Sequence, residues 1–216
     1  VIGTLCERAD PKRPAPVQIV LLPAAYSGPE DFCKAGFGAA VRARGLNVDV
    51  TFAALDVGQV TDRSVVPRVL SEVVAPLRAA ASQLWLGGIS LGGYVALCCA
   101  EAEPQGLAGL CLFAPYLGSH IIISEVAAAG IRAWRAGELA EDDDERRVWR
   151  FLQRREAATL PLHLGLGRED RFLERHQLLA NALDAAEVDM VPGGHDWPTW
   201  LRLWENFLDA RIAARP

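Results

Sequence analysis

A chain of 216 residues, 51% hydrophobic and 23% charged, is long enough for one domain with a substantial core. A net charge of −5, with no basic stripe and no aromatic residues interleaved among bases, argues against a nucleic-acid surface. No apolar run is long enough to span a bilayer, and the absence of a leader is read with the start at Val1 in mind, since a terminus could have been trimmed.

Residues 1–16 carry Pro11, Pro14 and Pro16 among mixed charges and read as an N-terminal arm, with residues 2–5 a short edge strand. The run VQIVLL at 17–22 ends at Pro23 and suits a buried strand. A helix opens at Ser27 or Gly28, with Pro29 in its first turn and acids beside it, and stops at Gly45. Residues 48–53 are the next strand. A helix over 64–81 should kink at Pro76. Further apolar strands fall at 84–89, 107–113, 160–165 and 188–191. Helices are expected at 91–102, near 171–185 and over 196–213. Continuous apolar strands alternating with helices describe a doubly wound, mostly parallel sheet covered on both faces, in a single α/β domain.

Residues 117–158 break the alternation and form a small helical excursion. Its acidic run at 141–145, followed by Arg146, Arg147 and Arg150, reads as the first turn of a solvated helix rather than a metal site. The segment leaves and rejoins the sheet beside the expected site, so a lid over that site is one expectation and an ordinary crossover the other. As a lid it would bring Ile122 and Trp134 to the substrate.

The five cysteines form no CxxC pair and are odd in number, which describes neither a disulfide frame nor a zinc site. Three lie in apolar runs and read as buried thiols, which suits a reducing, cytoplasmic setting. No metal or cofactor motif is present, and neither a GxGxxG nor a Walker loop supports nucleotide binding.

The chemistry concentrates in LWLGGISLGG at 84–93. Gly88-x-Ser90-x-Gly92 stands between a strand and a helix, where a sharp turn lifts the serine hydroxyl off the sheet edge. A serine needs a base, and the base an orienting acid. On such a sheet both belong just after strands. His195 follows the last strand, in PGGHDW; of the other three histidines, His163 reads as core, His176 as surface and His120 as a weak rival. Asp170, in GREDRF, sits at a strand-to-helix turn, where it could equally be a helix cap; Glu169 is the alternative acid, and Asp196 should point away.

The order Ser90, Asp170, His195 and the motifs GGISLGG, GREDRF and PGGHDWPTW resemble the α/β-hydrolase family, of the compact serine esterase and thioesterase type, from about residue 17 to 208. The resemblance implies Ser90 as nucleophile, His195 as general base and then acid, and Asp170 as its orienting group. It implies an oxyanion hole from the backbone of Leu91 and of Ala25 or Tyr26, although PAAY departs from the common His-Gly pattern there. Tyr116 is a candidate pocket wall. The implied activity is hydrolysis of a small-molecule ester or thioester without cofactor. A peptidase or acyltransferase with the same triad, or a noncatalytic binding protein on this fold, are the rival readings. The oligomeric state is left open, a homodimer included.

Overall fold

The computed structural model describes residues 1–155 and 159–213. Seven strands, β1 (Thr4–Glu7), β2 (Val17–Leu22), β3 (Val48–Ala53), β4 (Gln83–Ile89), β5 (Gly109–Phe113), β6 (Leu162–Gly167) and β7 (Val188–Val191), form one sheet in the order β1-β3-β2-β4-β5-β6-β7. β1 runs antiparallel to β3, and every other pairing is parallel.

The helices connect these strands. α1 (Pro29–Ala35) and α2 (Phe37–Ala43) follow β2; α3 (Val57–Thr61), α4 (Val65–Val69) and α5 (Ala75–Ala80) follow β3. α6 (Leu91–Ala102) follows β4, α7 (His120–Ala129) and α8 (Asp144–Arg154) follow β5, α9 (Leu173–Ala180) follows β6, and α10 (Trp197–Phe207) follows β7.

The apolar runs are continuous because both faces of the sheet are buried. Within β2, Ile19 and Leu21 pack with Phe32, Phe37, Trp200, Leu203 and Trp204 of α1, α2 and α10. Val20 and Leu22 face the other way, onto α4, α6 and the excursion. Each such fully buried side chain contributes roughly 1.5–3 kcal/mol. Trp204 also satisfies its indole N–H on the Phe37 carbonyl at 2.9 Å, which ties the last helix to α2.

Three local features depart from the sequence reading. The helix expected from 28 to 45 is broken at Gly36, whose φ of 93° is open to glycine but not to a helix interior. Pro76 does not kink a uniform helix. A wide turn over Leu70–Val74 lies just upstream, and Ala75 donates to the Leu70 carbonyl five residues back. The helix expected near 171–185 is shorter, Leu173–Ala180.

The excursion packs onto α6. Val126, Trp134, Val148 and Trp149 are buried in the same core as the α6 side chains. The Trp149 indole donates to the Leu117 carbonyl at 2.8 Å, and the Trp134 indole to Glu125 at 2.8 Å. The later acids of the run are spent within the protein: Asp143 caps α8 and pairs with Arg146, while Asp144 pairs with Arg63. Residues 156–158, the end of the expected excursion, lie outside the described residues.

His163 is buried as expected, against the rings of Phe113 and Phe207, and its Nε2 has no hydrogen-bond partner among the described residues. Burial, with a smaller contribution from Arg211, lowers its pKa to about 4. Between the ordinary value near 6.5 and this one, the unfolded chain binds a proton that the folded chain refuses. Stability therefore falls as pH drops through that window. His163→Leu should reduce the loss of unfolding free energy between pH 7.5 and pH 5 by about 2 kcal/mol. Urea unfolding at the two pH values measures it, and equal acid sensitivity in both proteins would refute the assignment.

Candidate active site

Ser90 stands between β4 and α6 with φ 51° and ψ −113°, a conformation that costs a non-glycine residue about 1–3 kcal/mol. Three backbone hydrogen bonds hold it there. Its N–H donates to the Phe113 carbonyl at 3.0 Å, and its carbonyl accepts from Tyr94 at 3.2 Å and Tyr116 at 2.9 Å. The flanking glycines are required by close approach: a Cβ on Gly92 would stand 2.1 Å from the Leu22 oxygen, and one on Gly88 2.5 Å from the Gly92 carbonyl carbon.

His195 follows β7. Its Nε2 lies 3.1 Å from Ser90 Oγ, and its Nδ1 lies 2.7 Å from Asp170 Oδ2. An ionised carboxylate only accepts, so Nδ1 carries the proton and Nε2 presents its lone pair to the serine. The ring is held edge-on between Phe172, 5.2 Å away, and Trp200, 5.0 Å away. The Asp170 side chain is fully buried. Burial pushes its carboxyl up, but the hydrogen bonds from His195 and from the Phe172 N–H, at 2.8 Å, outweigh that and hold it below the ordinary carboxylate value.

Asp170 therefore closes a tight turn just before α9, whose cap is Phe172, rather than capping the helix itself. Glu169 is spent elsewhere, taking the Gly193 N–H and so tying the β6 and β7 loops together. Asp196 caps α10 by accepting from Thr199 N at 3.0 Å. His120 is exposed and hydrogen-bonded to Ser124.

His176 departs from its reading as a surface group. It lies on the inward face of α9 together with Leu179, 2% exposed, and its Nε2–H donates to the Pro115 carbonyl at 3.0 Å. Burial lowers its pKa, partly opposed by the Asp170 charge and the Pro115 carbonyl.

A cavity of about 140 Å³ borders Ser90, lined by Ala114, Tyr116, Phe172, Arg175 and His176 among others. Tyr116, which follows β5, borders it. Ile122 and Trp134 do not border it. Both are buried in the core beneath the excursion, and Ile122 reaches only a neighbouring cleft beside Tyr94. The sequence reading missed Phe172, Arg175 and His176; their only sequence signal is proximity to Asp170, at the start of α9.

Leu91 is the first residue of α6, where the N–H has no intrahelical acceptor. Ala25 and Tyr26 occupy the centre of a turn closed by the Ser27 N–H on the Ala24 carbonyl at 3.1 Å. Neither central N–H has a protein acceptor among the described residues. Tyr26 has φ 61° and is 93% exposed.

The sheet order, the strand–turn–helix at Ser90 and the loops after β6 and β7 define the α/β-hydrolase fold. No family model and no curated protein sequence matches the chain. Among solved structures it is similar to Est1E from Butyrivibrio proteoclasticus, with a TM-score of 0.68 and 15% identity over 98% of this chain and 95% of that one. It is also similar to a ferulic acid esterase, with a TM-score of 0.62 and 10% identity over 98% of each chain. FphF, a fluorophosphonate-binding serine hydrolase of Staphylococcus aureus, has a TM-score of 0.62 and 12% identity over 96% of this chain and 97% of that one. At these identities the likeness is one of fold.

The exposed, left-handed Tyr26 yields a stability prediction. A side chain at such a φ costs roughly 1–2 kcal/mol, and glycine's extra freedom in the unfolded chain returns about 0.5–1 of it. Tyr26→Gly loses no buried contact and should raise unfolding free energy by about 0.5–1 kcal/mol. A urea midpoint unchanged or lowered would show that the backbone there is not strained.

Proposed function

We propose that the protein is a serine hydrolase that cleaves a carboxylic ester or thioester through an acyl-enzyme intermediate. The observation that carries this reading is the hydrogen-bonded series from Ser90 through His195 to a buried, ionised Asp170. The esterases and serine hydrolase of the same fold support it by analogy only.

The chemistry follows from the roles those atoms can take. Ser90 Oγ attacks the acyl carbon while its proton passes to His195 Nε2. Asp170 fixes the tautomer that leaves Nε2 free and offsets the imidazolium charge, without itself taking the proton. The tetrahedral oxyanion would lie against the Leu91 N–H, at the positive end of α6, and a second N–H from Ala25 or Tyr26. The carbon–leaving-group bond then breaks, and the leaving alcohol or thiol takes the proton from Nε2. Water repeats the sequence, giving its proton to His195 and its oxygen to the acyl carbon, and Ser90 leaves with the proton returned.

Two measurements test the reading. A fluorophosphonate should label Ser90 alone, because among the described residues only Ser90 meets a histidine that is itself oriented by a buried acid; labelling at Ser64, Ser71 or Ser124 instead, or no labelling, would overturn the serine mechanism. Asp170→Asn should cut turnover of an activated ester by about 10⁴-fold, the loss expected when the orienting acid becomes an amide and the imidazole tautomer is wrong. Glu169→Gln should cost far less, and a reversed pair of effects would move the orienting role to Glu169.

A further inference from the structure

The cavity that borders Ser90 also borders the guanidinium-bearing side chain of Arg175, and that arginine has no carboxylate partner among the described residues. This is unusual within the molecule. The chain has more acids than bases, 27 to 22, and most of its other half-buried arginines are tied to acids: Arg44 to Asp209, Arg63 to Asp144, Arg78 to Glu103, Arg146 to Glu125, Arg155 to Glu187; Arg211, which has no acid partner among the described residues, is taken up by the carbonyls of Leu162 and Ala186. Arg175 instead lies over the face of Phe172, 5.7 Å from its centroid, and the same ring meets His195 at 5.2 Å. Arg171 lies over Phe172 as well, at 4.8 Å, also without an acid partner among the described residues. One aromatic ring thus separates an unneutralised guanidinium from the imidazole beside Ser90.

The two carboxylates that touch the cavity wall, Asp170 and Glu145, make no ion pair with Arg175 among the described residues; Asp170 is taken by His195 and the Phe172 N–H. Glu145 accepts from the Tyr116 hydroxyl at 2.8 Å and from the Ser119 N–H and hydroxyl at 2.9 and 2.8 Å. A guanidinium that the protein leaves unpaired beside an enclosed space is matched in charge and geometry by a carboxylate. The group that stays on Ser90 after the leaving group departs is the acyl chain, so the enclosed space bordering Ser90 belongs to it. At about 140 Å³ the cavity equals roughly four or five waters at about 30 Å³ each, room for a short chain only.

We infer that the protein hydrolyses esters or thioesters of a short dicarboxylic acid, with the free carboxylate of the acyl chain held by Arg175. The inference rests on the serine-hydrolase reading and narrows its substrate. The products are the dicarboxylate and the alcohol or thiol, with one water consumed. Arg175 is on this account a specificity-determining residue.

The test compares butyryl and succinyl thioesters of N-acetylcysteamine, equal in carbon count, by release of thiol, with the Ser90→Ala protein as blank. Wild type should show kcat/KM at least tenfold higher for the succinyl thioester, with the advantage shrinking as salt is raised. Arg175→Gln should lower the succinyl-to-butyryl ratio by about tenfold or more, chiefly through KM, and Arg175→Lys should restore part of it. A ratio at or below one in wild type, or one unmoved by Arg175→Gln, overturns the inference and leaves the hydrolase reading intact. So does a preference that appears only when the carboxylate is on the thiol, tested with the butyryl thioester of 3-mercaptopropionate. Failure to turn over any thioester, together with no fluorophosphonate label on Ser90, overturns both.

Discussion

At Gly92 the first turn of α6 lies against the carbonyl of Leu22, so close that a methyl group there would stand 2.1 Å from the oxygen. Gly88 meets Gly92 and Leu22 at similar range. The ends of β2 and β4 and the start of α6 are thus three backbones in contact with no side chain between them. The chain can pass from β4 into α6 in that space only by a sharp reversal, and Ser90 takes the left-handed backbone that the reversal requires. The same contact brings the turn at Ala24–Ser27, which follows β2 directly, to the serine. Nucleophile and candidate oxyanion donors therefore depend on one close packing of glycine against carbonyl.

The other side chains reach Ser90 because parallel strands deliver their loops to one edge. Asp170 follows β6 and His195 follows β7, and these neighbouring loops are laced together. Arg168 donates to the Val191 carbonyl at 2.9 Å and Glu169 to the Gly193 carbonyl at 3.0 Å. That lacing fixes the spacing of acid and base independently of the serine. β5, the strand between, contributes the cavity wall: the chain leaves it at Ala114, also at positive φ, and His176 pins the next residue by its carbonyl. Asp170 and His195 each have defined partners, the condition under which a low dielectric strengthens such contacts, while His176 Nδ1 and Trp200 Nε1 have none among the described residues.

Much of this arrangement was legible in the sequence for a plain reason. Strands buried on both faces must be apolar throughout, so VQIVLL or LWLGGI betrays itself without periodicity. Glycines flanking a serine betray the tight approach at Ser90 in the same way. What the sequence hid are features set by packing across distance. The break at Gly36 was hidden because a glycine in a helical pattern does not declare its φ: Gly38, two residues on, stays within a helix. His176 read as surface because its neighbours Glu174, Arg175 and Gln177 are polar, yet it shares the inward face of the helix with Leu179. Ile122 and Trp134 read as lid residues because an excursion with an apolar stripe suits either a pocket or a core. The α6 face offered them the core, and the Trp134 indole found a half-buried acceptor in Glu125.

The excursion nonetheless bears on the site, by another route than covering it. Its α8 supplies Glu145, whose carboxylate gathers the Tyr116 hydroxyl and both donors of Ser119. Tyr116 is at once a cavity wall and a donor to the Ser90 carbonyl through its backbone N–H. A carboxylate with three donors holds its partners more firmly than the aromatic contact of Tyr116 with Tyr94 could alone, since charge-assisted hydrogen bonds are about twice as strong as neutral ones. The carboxylate is in turn fixed by the burial of Trp149 four residues on, whose indole grips the Leu117 carbonyl beside the same loop. The physical path from excursion to serine thus runs through hydrogen bonds to the cavity wall. A segment anchored this way shapes the cavity by where it holds Tyr116, and its own apolar residues are free to serve the core.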